Sequence, residues 1–416
     1  MCPLSPFARS LLAVAGIQLL LWWAWGSPTP IFDEAGYLAA GEAVARWLHC
    51  TPAAEPCASA QSLGRLLWHN PGYAALFVAA ELLPGAAAQW IRALQLLAGL
   101  LAGACVHRLL LAPAGPRWAL AAAWGVWLHP VQLFFRLTLW PVALSTAAIA
   151  LVALLASRFA RSPTPGRRLE LSLGLLGLTL LYPMALACLP LLALWVLAGE
   201  RVSRWETAGW LLMPTALCWI GLMGVTSSAL SVPSLGLLAG PENAALGNNP
   251  YIAAGRGSSL HDKDSVQRLR AWTDAQCPRG PGLSSLRCTA RAHRHLAAQT
   301  ASEDPVGAVV RAGLRVFETW SPDRFVARHL AEPRIGIAAG PAVGWLVRVV
   351  EIVTLALLLV IAFGATDRRV LGILVVLGLC TLPVVLGVGL TRLREPLLPL
   401  LVIGAALSLS RYHRRP

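Results

Sequence analysis

The chain has 416 residues, 56% of them hydrophobic and only 13% charged, with a mean hydropathy of +0.62. A water-soluble domain carries about 25% charged residues, so this composition excludes an ordinary soluble globular fold. The formal charge of +14 does not mark a nucleic-acid binder either: much of it sits in short loops between apolar runs, only Lys263 among the 34 basic residues is a lysine, and no zinc-finger spacing, Walker loop or GxGxxG before a helix stands out.

Taken in chain order, apolar runs long enough to cross a bilayer predict ten spans, near 9–26, 88–111, 117–130, 136–157, 169–182, 184–199, 207–228, 342–363, 370–388 and 396–410. The expected fold class is an all-α polytopic membrane protein. The loops "SRFARSPTPGRRLE", "GERVSRW" and "ATDRRV" and the tail "RYHRRP" concentrate arginine, and ten alternating spans put all four on the side of the N-terminus. The positive-inside rule makes that side cytoplasmic. Two long segments, 27–87 and 229–341, then face outward. The first apolar run has no convincing small-x-small cleavage site and ends in the tryptophans of "LLLWWAWG", which suits a retained anchor better than a signal peptide. The chain therefore divides into a membrane module with the first outer loop (1–228), a long outer loop (229–341) and the closing spans (342–416).

Of the nine cysteines, Cys50, Cys57, Cys277 and Cys288 lie in the two outer segments. Close pairs there suit an oxidising compartment, so Cys50 with Cys57 and Cys277 with Cys288 are disulfide candidates, unpaired thiols being the alternative. Zinc is not expected, because neither pair has CxxC spacing and "RAHRH" offers only His293 and His295.

Within the first outer segment, "SPTPIFDEAGYLAAGEAVARWLHC" places Asp33 and Glu34 directly after a helix breaker. The spacing predicts a helix lying on the outer membrane face, with both acids in its first turn and Tyr37 one turn beyond Asp33. Helix capping alone favours an acid there by about 0.3–1 kcal/mol. A carboxylate beside lipid is nevertheless costly unless it serves a site. Other polar residues gather on the same side: His69, Asn70 and Tyr73 in "LLWHNPGYAALFVAAELLPG", Arg92 near the outer end of the second span, and Arg392, Arg394 and Glu395 in "LTRLREPLLPLLVIGAA" at the mouth of the last. Interfacial anchoring is the plain alternative for the late arginines.

The ordered set "DEAGY", "HNPGY" and "RLREPLLPLL", together with "LGNNPYIAAGRG" and "RVFETWSPDRF" in the long outer loop, resembles integral-membrane glycosyltransferases of the GT-C class. The nearest likeness is to bacterial relatives of the dolichyl-phosphate-mannose protein mannosyltransferases and the aminoarabinose lipid A transferases. The resemblance implies a bacterial inner-membrane enzyme, active on its outer face, that moves a sugar from a polyprenyl-phosphate donor to a lipid, glycan or protein acceptor. Asp33 would be the base that takes the acceptor's proton, with Glu34 orienting the acceptor or, with Asp33, holding a divalent metal such as Mg or Mn. Arg392 and Arg394 would bind the donor phosphate, with Arg92 in support. Tyr37, His69, Asn70 and Tyr73 would line the substrate pocket.

The likeness departs at two places. "FFRLTLWPVALSTA" carries Arg136 where family members often have an acid, and "LLYPMAL" has Tyr182 before Pro183 where an Arg-Pro is frequent. Arg256, Asp262 and Lys263 in "GRGSSLHDKD" read as a solvated loop face before they read as a substrate contact. The competing functions are a transporter or flippase, which would place charge inside spans and show an internal repeat, and a glycan polymerase or ligase.

Overall fold

The computed structural model describes residues 4–25, 33–48, 70–190, 204–232, 240–277, 283–322, 325–331, 340–388 and 390–413. Among them the regular structure is entirely helical. The helices are α1 (Pro6–Trp25), α2 (Asp33–Leu48), α3 (Pro71–Glu81), α4 (Ala87–Ala114), α5 (Pro116–Trp127), α6 (Pro130–Leu137), α7 (Val142–Arg161), α8 (Pro165–Leu181) and α9 (Arg204–Leu230). They continue as α10 (Gly240–Gly247), α11 (Lys263–Gln276), α12 (Leu283–Glu303), α13 (Pro305–Trp320), α14 (Phe325–Ala331), α15 (Pro341–Phe363), α16 (Arg368–Thr381) and α17 (Leu398–Tyr412).

Local chemistry explains most of the boundaries. Pro71, Pro116, Pro130, Pro165, Pro305 and Pro341 each fall in a first turn, where the missing N–H costs nothing and the fixed φ already suits a helix. Thr164, Asp262, Asp304 and Asp367 cap α8, α11, α13 and α16 by accepting from a backbone N–H inside the first turn. Between α4 and α5 the chain reverses at Gly115, whose φ of 88° a side chain would disfavour.

Among the described residues, six helices are long and apolar enough to cross a membrane: Pro6–Ala24, Ala87–Ala114, Val142–Arg161, Thr207–Leu230, Pro341–Phe363 and Arg368–Val385. Large apolar side chains such as Leu20, Leu217, Ile220, Leu346, Ile352 and Leu359 stand exposed on them. Such faces would be a liability in water and are at home against lipid.

The bundle centres on α4, which packs against α5, α7 and α17. Gly99 and Gly103 make that approach close. A β-carbon at Gly99 would lie 2.2 Å from Arg136 Nε, and one at Gly103 would lie 2.1 Å from the Trp127 indole nitrogen. The main core runs through α3, α4, α5, α7 and α17, and includes Tyr73, Phe77, Ala102, Val106, Leu139, Leu401 and Ala405.

The expected spans are corrected at several points. The run expected at 117–130 forms only the 12-residue α5, and the next begins at Val142 rather than at 136. Between them Pro130 and Pro141 interrupt the backbone, so 130–137 folds as the separate α6. Arg136 then turns back to donate to the Trp127 and Val126 carbonyls at 2.7 and 2.8 Å, satisfying the orphaned end of α5. At 184–199 the start is a 3-10 turn, Pro183–Cys188, and 191–203 lies outside the described residues. The run at 370–388 leaves α-helix at Thr381 and ends in a 3-10 turn around Pro383.

Candidate functional site

The starts of α4, α7 and α15 and the ends of α5, α8 and α16 meet at one end of the bundle, around the short irregular connection 138–141. Three side chains from distant parts of the chain read this connection in successive residues. Gln95 of α4 donates to the Thr138 carbonyl at 2.9 Å, and also to the Tyr73 hydroxyl at 3.1 Å. The Leu139 N–H donates to Glu34 Oε1 at 2.7 Å. The Trp140 ring lies under the Arg392 guanidinium, 4.2 Å from the ring centroid, a cation–π distance.

Glu34 is 2% exposed, so its carboxylate has left water for a tertiary contact rather than a cap on its own helix. Arg92, buried in the first turns of α4, lies close enough to Glu34 for their charges to interact and has Tyr73 near it as well. Tyr73 packs edge-on to Tyr37 at 4.9 Å, and Tyr37 stacks on Phe77 at 5.8 Å. Burial first, then Tyr37 and Glu34, pushes the Tyr73 phenol well above its ordinary pKa, which keeps it a neutral hydroxyl. Asn70 precedes α3 and its carbonyl accepts from the Tyr73 and Ala74 N–H groups, while its side chain caps nothing.

A second group of charges lies beside this one. Arg394 is paired with both Glu351 of α15 and Glu395, and donates as well to the Thr319 and Ser321 carbonyls. His129 Nε2 is 3.3 Å from Glu351 Oε1 and 3.1 Å from the Thr354 hydroxyl. Gln132 donates to the Glu395 carbonyl at 2.8 Å and accepts from Thr146 at 3.1 Å. His129, Glu351, Arg394 and Glu395 are all at most 5% exposed. Buried charge of this kind persists only when paired and hydrogen-bonded, as here. One donor atom from each of His129, Glu351 and Glu395 lies within 4.8 Å of the others, so these three could ligate a cation if Arg394 withdrew.

The same end gathers the long segment before α15. Arg315 donates to the carbonyls of Gly247, Gly257, Val384 and Val385. Gly257 in turn donates its N–H to Glu318 at 3.0 Å. "LGNNPYIAAGRG" and "RVFETWSPDRF" are thereby joined to each other and to the end of α16. Burial, with a smaller contribution from Arg311, lowers the Arg315 pKa to about 10, so it is still a cation at neutral pH. The Tyr182 hydroxyl donates to the Leu393 carbonyl at 2.6 Å, between the two late arginines.

The structure thus brings Glu34, Tyr37, Tyr73 and Arg92 into one group, and Arg392 and Arg394 to the adjoining one. Asp33 opens α2, but its side chain lies outside the described residues, as do His69, Cys50 and Cys57. Cys277 and Cys288 form a disulfide, with α-carbons 5.7 Å apart. An open cleft of about 460 Å³ beside that bond is lined by Gln276, Ser284, Arg287 and Arg291 and shares no residue with the site. Asp262 caps α11, and Arg256 and Lys263 are exposed, as a solvated face requires.

Sequence reasoning missed His129, Gln132 and Glu351. The signal for Glu351 was present, since a lone carboxylate within the run 342–363 is expensive unless it serves something. His129 and Gln132 gave no such signal, lying in a stretch that read as the edge of a span. No protein-family model and no curated protein sequence matches the chain.

Proposed function

We propose that this protein is an integral-membrane glycosyltransferase of the GT-C class, with ten spans and an outward-facing site, that transfers a sugar from a polyprenyl-phosphate donor with inversion. The observation that carries the reading is the connection 138–141, where Glu34 holds Leu139 and Arg392 lies on Trp140. An early acid and a late arginine, the two chemistries such a transfer needs, therefore converge on neighbouring residues.

Successive residues of a helix point about 100° apart, so with Glu34 anchored the two acids can divide the work. In this reading Glu34 fixes the start of α2 against the connection, and Asp33 takes the proton as the acceptor oxygen or nitrogen attacks the anomeric carbon. The bond from that carbon to the phosphate oxygen breaks as the new bond forms, and the polyprenyl phosphate leaves as a stable anion that needs cations rather than an acid. Arg392, partly exposed, meets the phosphate; Arg394, held by two carboxylates, shapes the segment that carries it. A divalent metal at Asp33 and Glu34 remains part of the proposal only as an aid to acceptor orientation.

The test is sugar transfer in proteoliposomes, offering a panel of polyprenyl-phosphate sugars and a membrane extract as acceptor. Wild type runs beside Asp33→Asn and Glu34→Gln, each checked for folding and donor binding. Loss of transfer in Asp33→Asn with donor still bound supports the assignment; wild-type turnover would return Asp33 to a helix cap and remove the active site. One observation favours a second reading. Buried His129, Glu351, Arg394 and Glu395 are the charges a transporter would carry between its helices. Movement of a lipid-linked sugar across the bilayer with no new glycosidic bond would favour it.

A further inference from the structure

Cys188 ends the 3-10 turn Pro183–Cys188, and Cys380 lies in the last turn of α16. Their sulfur atoms are 3.3 Å apart, although the residues are 192 positions apart in sequence. A disulfide bond is about 2.05 Å long, so closing this gap takes a movement of about 1.3 Å. Cys380 is buried and Cys188 is partly exposed, so Cys188 is the more accessible residue of the pair.

The bonded cysteines of the long segment show which end of the molecule this pair occupies. One turn past Cys380, the Val384 carbonyl accepts from Arg315 of α13 at 3.2 Å. Helix α13 follows α12, the helix that carries Cys288 of the Cys277–Cys288 bond, and packs against it. On the other partner's side, the turn that ends at Cys188 begins beside Tyr182, whose hydroxyl reaches Leu393 at the same end.

We propose that Cys188 and Cys380 are a second disulfide site, formed in the compartment that oxidises Cys277 and Cys288. Thiol–disulfide exchange makes the bond. The Cys188 thiolate attacks a sulfur of an oxidised dithiol carrier or a glutathione disulfide, forming a mixed disulfide and releasing one thiol of the donor. The Cys380 thiolate then attacks the Cys188 sulfur and releases the second. Two protein thiols are oxidised to one disulfide, the donor disulfide is reduced to two thiols, and the two protons pass to the released thiolates. Small buried thiols often serve as apolar filler, but two sulfurs in contact with each other need not be placed so for packing alone. The cross-link ties α16 to the turn that begins beside Tyr182, whose hydroxyl holds the backbone between Arg392 and Arg394. It does not depend on the proposed glycosyl transfer.

The test is peptide mapping by mass spectrometry of full-length protein taken from membranes without reductant, with free thiols alkylated under denaturing conditions. A linked peptide joining Cys188 to Cys380, two hydrogens lighter than its parts and released by reductant, is the expected result, either as isolated or after glutathione disulfide is added to intact membranes. The link should persist in Cys277→Ser/Cys288→Ser, and Cys188→Ser should make Cys380 available to alkylation. Alkylation of both cysteines in wild type, unchanged after glutathione disulfide, would overturn the proposal, as would a link from either one to a different cysteine.

Discussion

At the scale of single residues, the charges of this protein are held by geometry rather than by solvent. Arg394 is the clearest case, since Glu351 and Glu395 both depend on it. Arg394→Ala leaves two buried carboxylates without that cation and should destabilise the folded protein by about 3–5 kcal/mol. Glu351→Gln should cost less, and the double variant should cost less than the sum, because the second change removes a charge that the first has stranded. Thermal unfolding in detergent measures all three; strict additivity would mean that the pair is not coupled. Glu34 has a smaller stake. Glu34→Ala removes the acceptor of the buried Leu139 N–H, a loss of about 1–3 kcal/mol, whereas Glu34→Gln retains an oxygen for it. Equal melting temperatures for the two variants would show that this hydrogen bond does not anchor α2.

Individual helices are legible from local rules to the extent that a local residue starts or ends them. Prolines in first turns start α3, α5, α8 and α13, and Asp262 and Asp304 cap α11 and α13, although only α5 and α8 of these lie in runs that the apolar pattern marks. The closeness of α4 to its neighbours depends instead on what has no side chain. Gly99→Ala would push a β-carbon into Arg136 and loosen its grip on the end of α5, a cost of about 1–3 kcal/mol. Gly177→Ala on α8, where no atom lies within 4 Å, should be neutral or slightly stabilising. The comparison is a pair of melting curves, and equal shifts would contradict the close packing at Gly99. The misplaced spans also belong at this scale. Hydropathy carries the expected spans up to Pro130 and across Pro141, but the backbone breaks at both, so α6 forms in and beside the gap expected between two spans and the next helix starts only at Val142.

Across the whole molecule, the segment 240–331 is fastened to the bundle by Arg315 and shaped internally by ionisable caps. The Asp262 carboxyl is held below its ordinary range first by the Ser265 hydroxyl and then by the Ser265 N–H, and that of Asp304 first by the Gly307 N–H and then by Arg311. A lowered folded pKa stabilises above the unfolded value of about 3.9 and the benefit is lost as pH falls through the folded value. Burial lowers the pKa of His293, which meets Thr273 at 2.9 Å, so its contribution is present above about pH 6.5 and declines as pH drops below it. Acidification should therefore loosen the contact between α11 and α12 first, then fray the starts of α11 and α13. The start of α8, capped by the neutral Thr164, should hold. Amide exchange corrected for intrinsic rates measures this order, and equal loss at α8 would refute it.

The amino-acid sequence by itself determined the all-helical class, the apolar lengths suited to a membrane and the helix at Asp33, and it named Cys277 and Cys288 as candidates for a bond that the structure then shows. These follow from periodicity, side-chain type and spacing over a few residues, which act before any helix meets another. Tertiary structure alone decided that Glu34 would hold Leu139, that Arg394 would be taken by Glu351, and that Arg315 would join two segments to the end of α16. Their partners are 105, 43 and up to 70 residues away in the chain. A buried charge must find a partner wherever the packing supplies one, and no local pattern names which helix that will be.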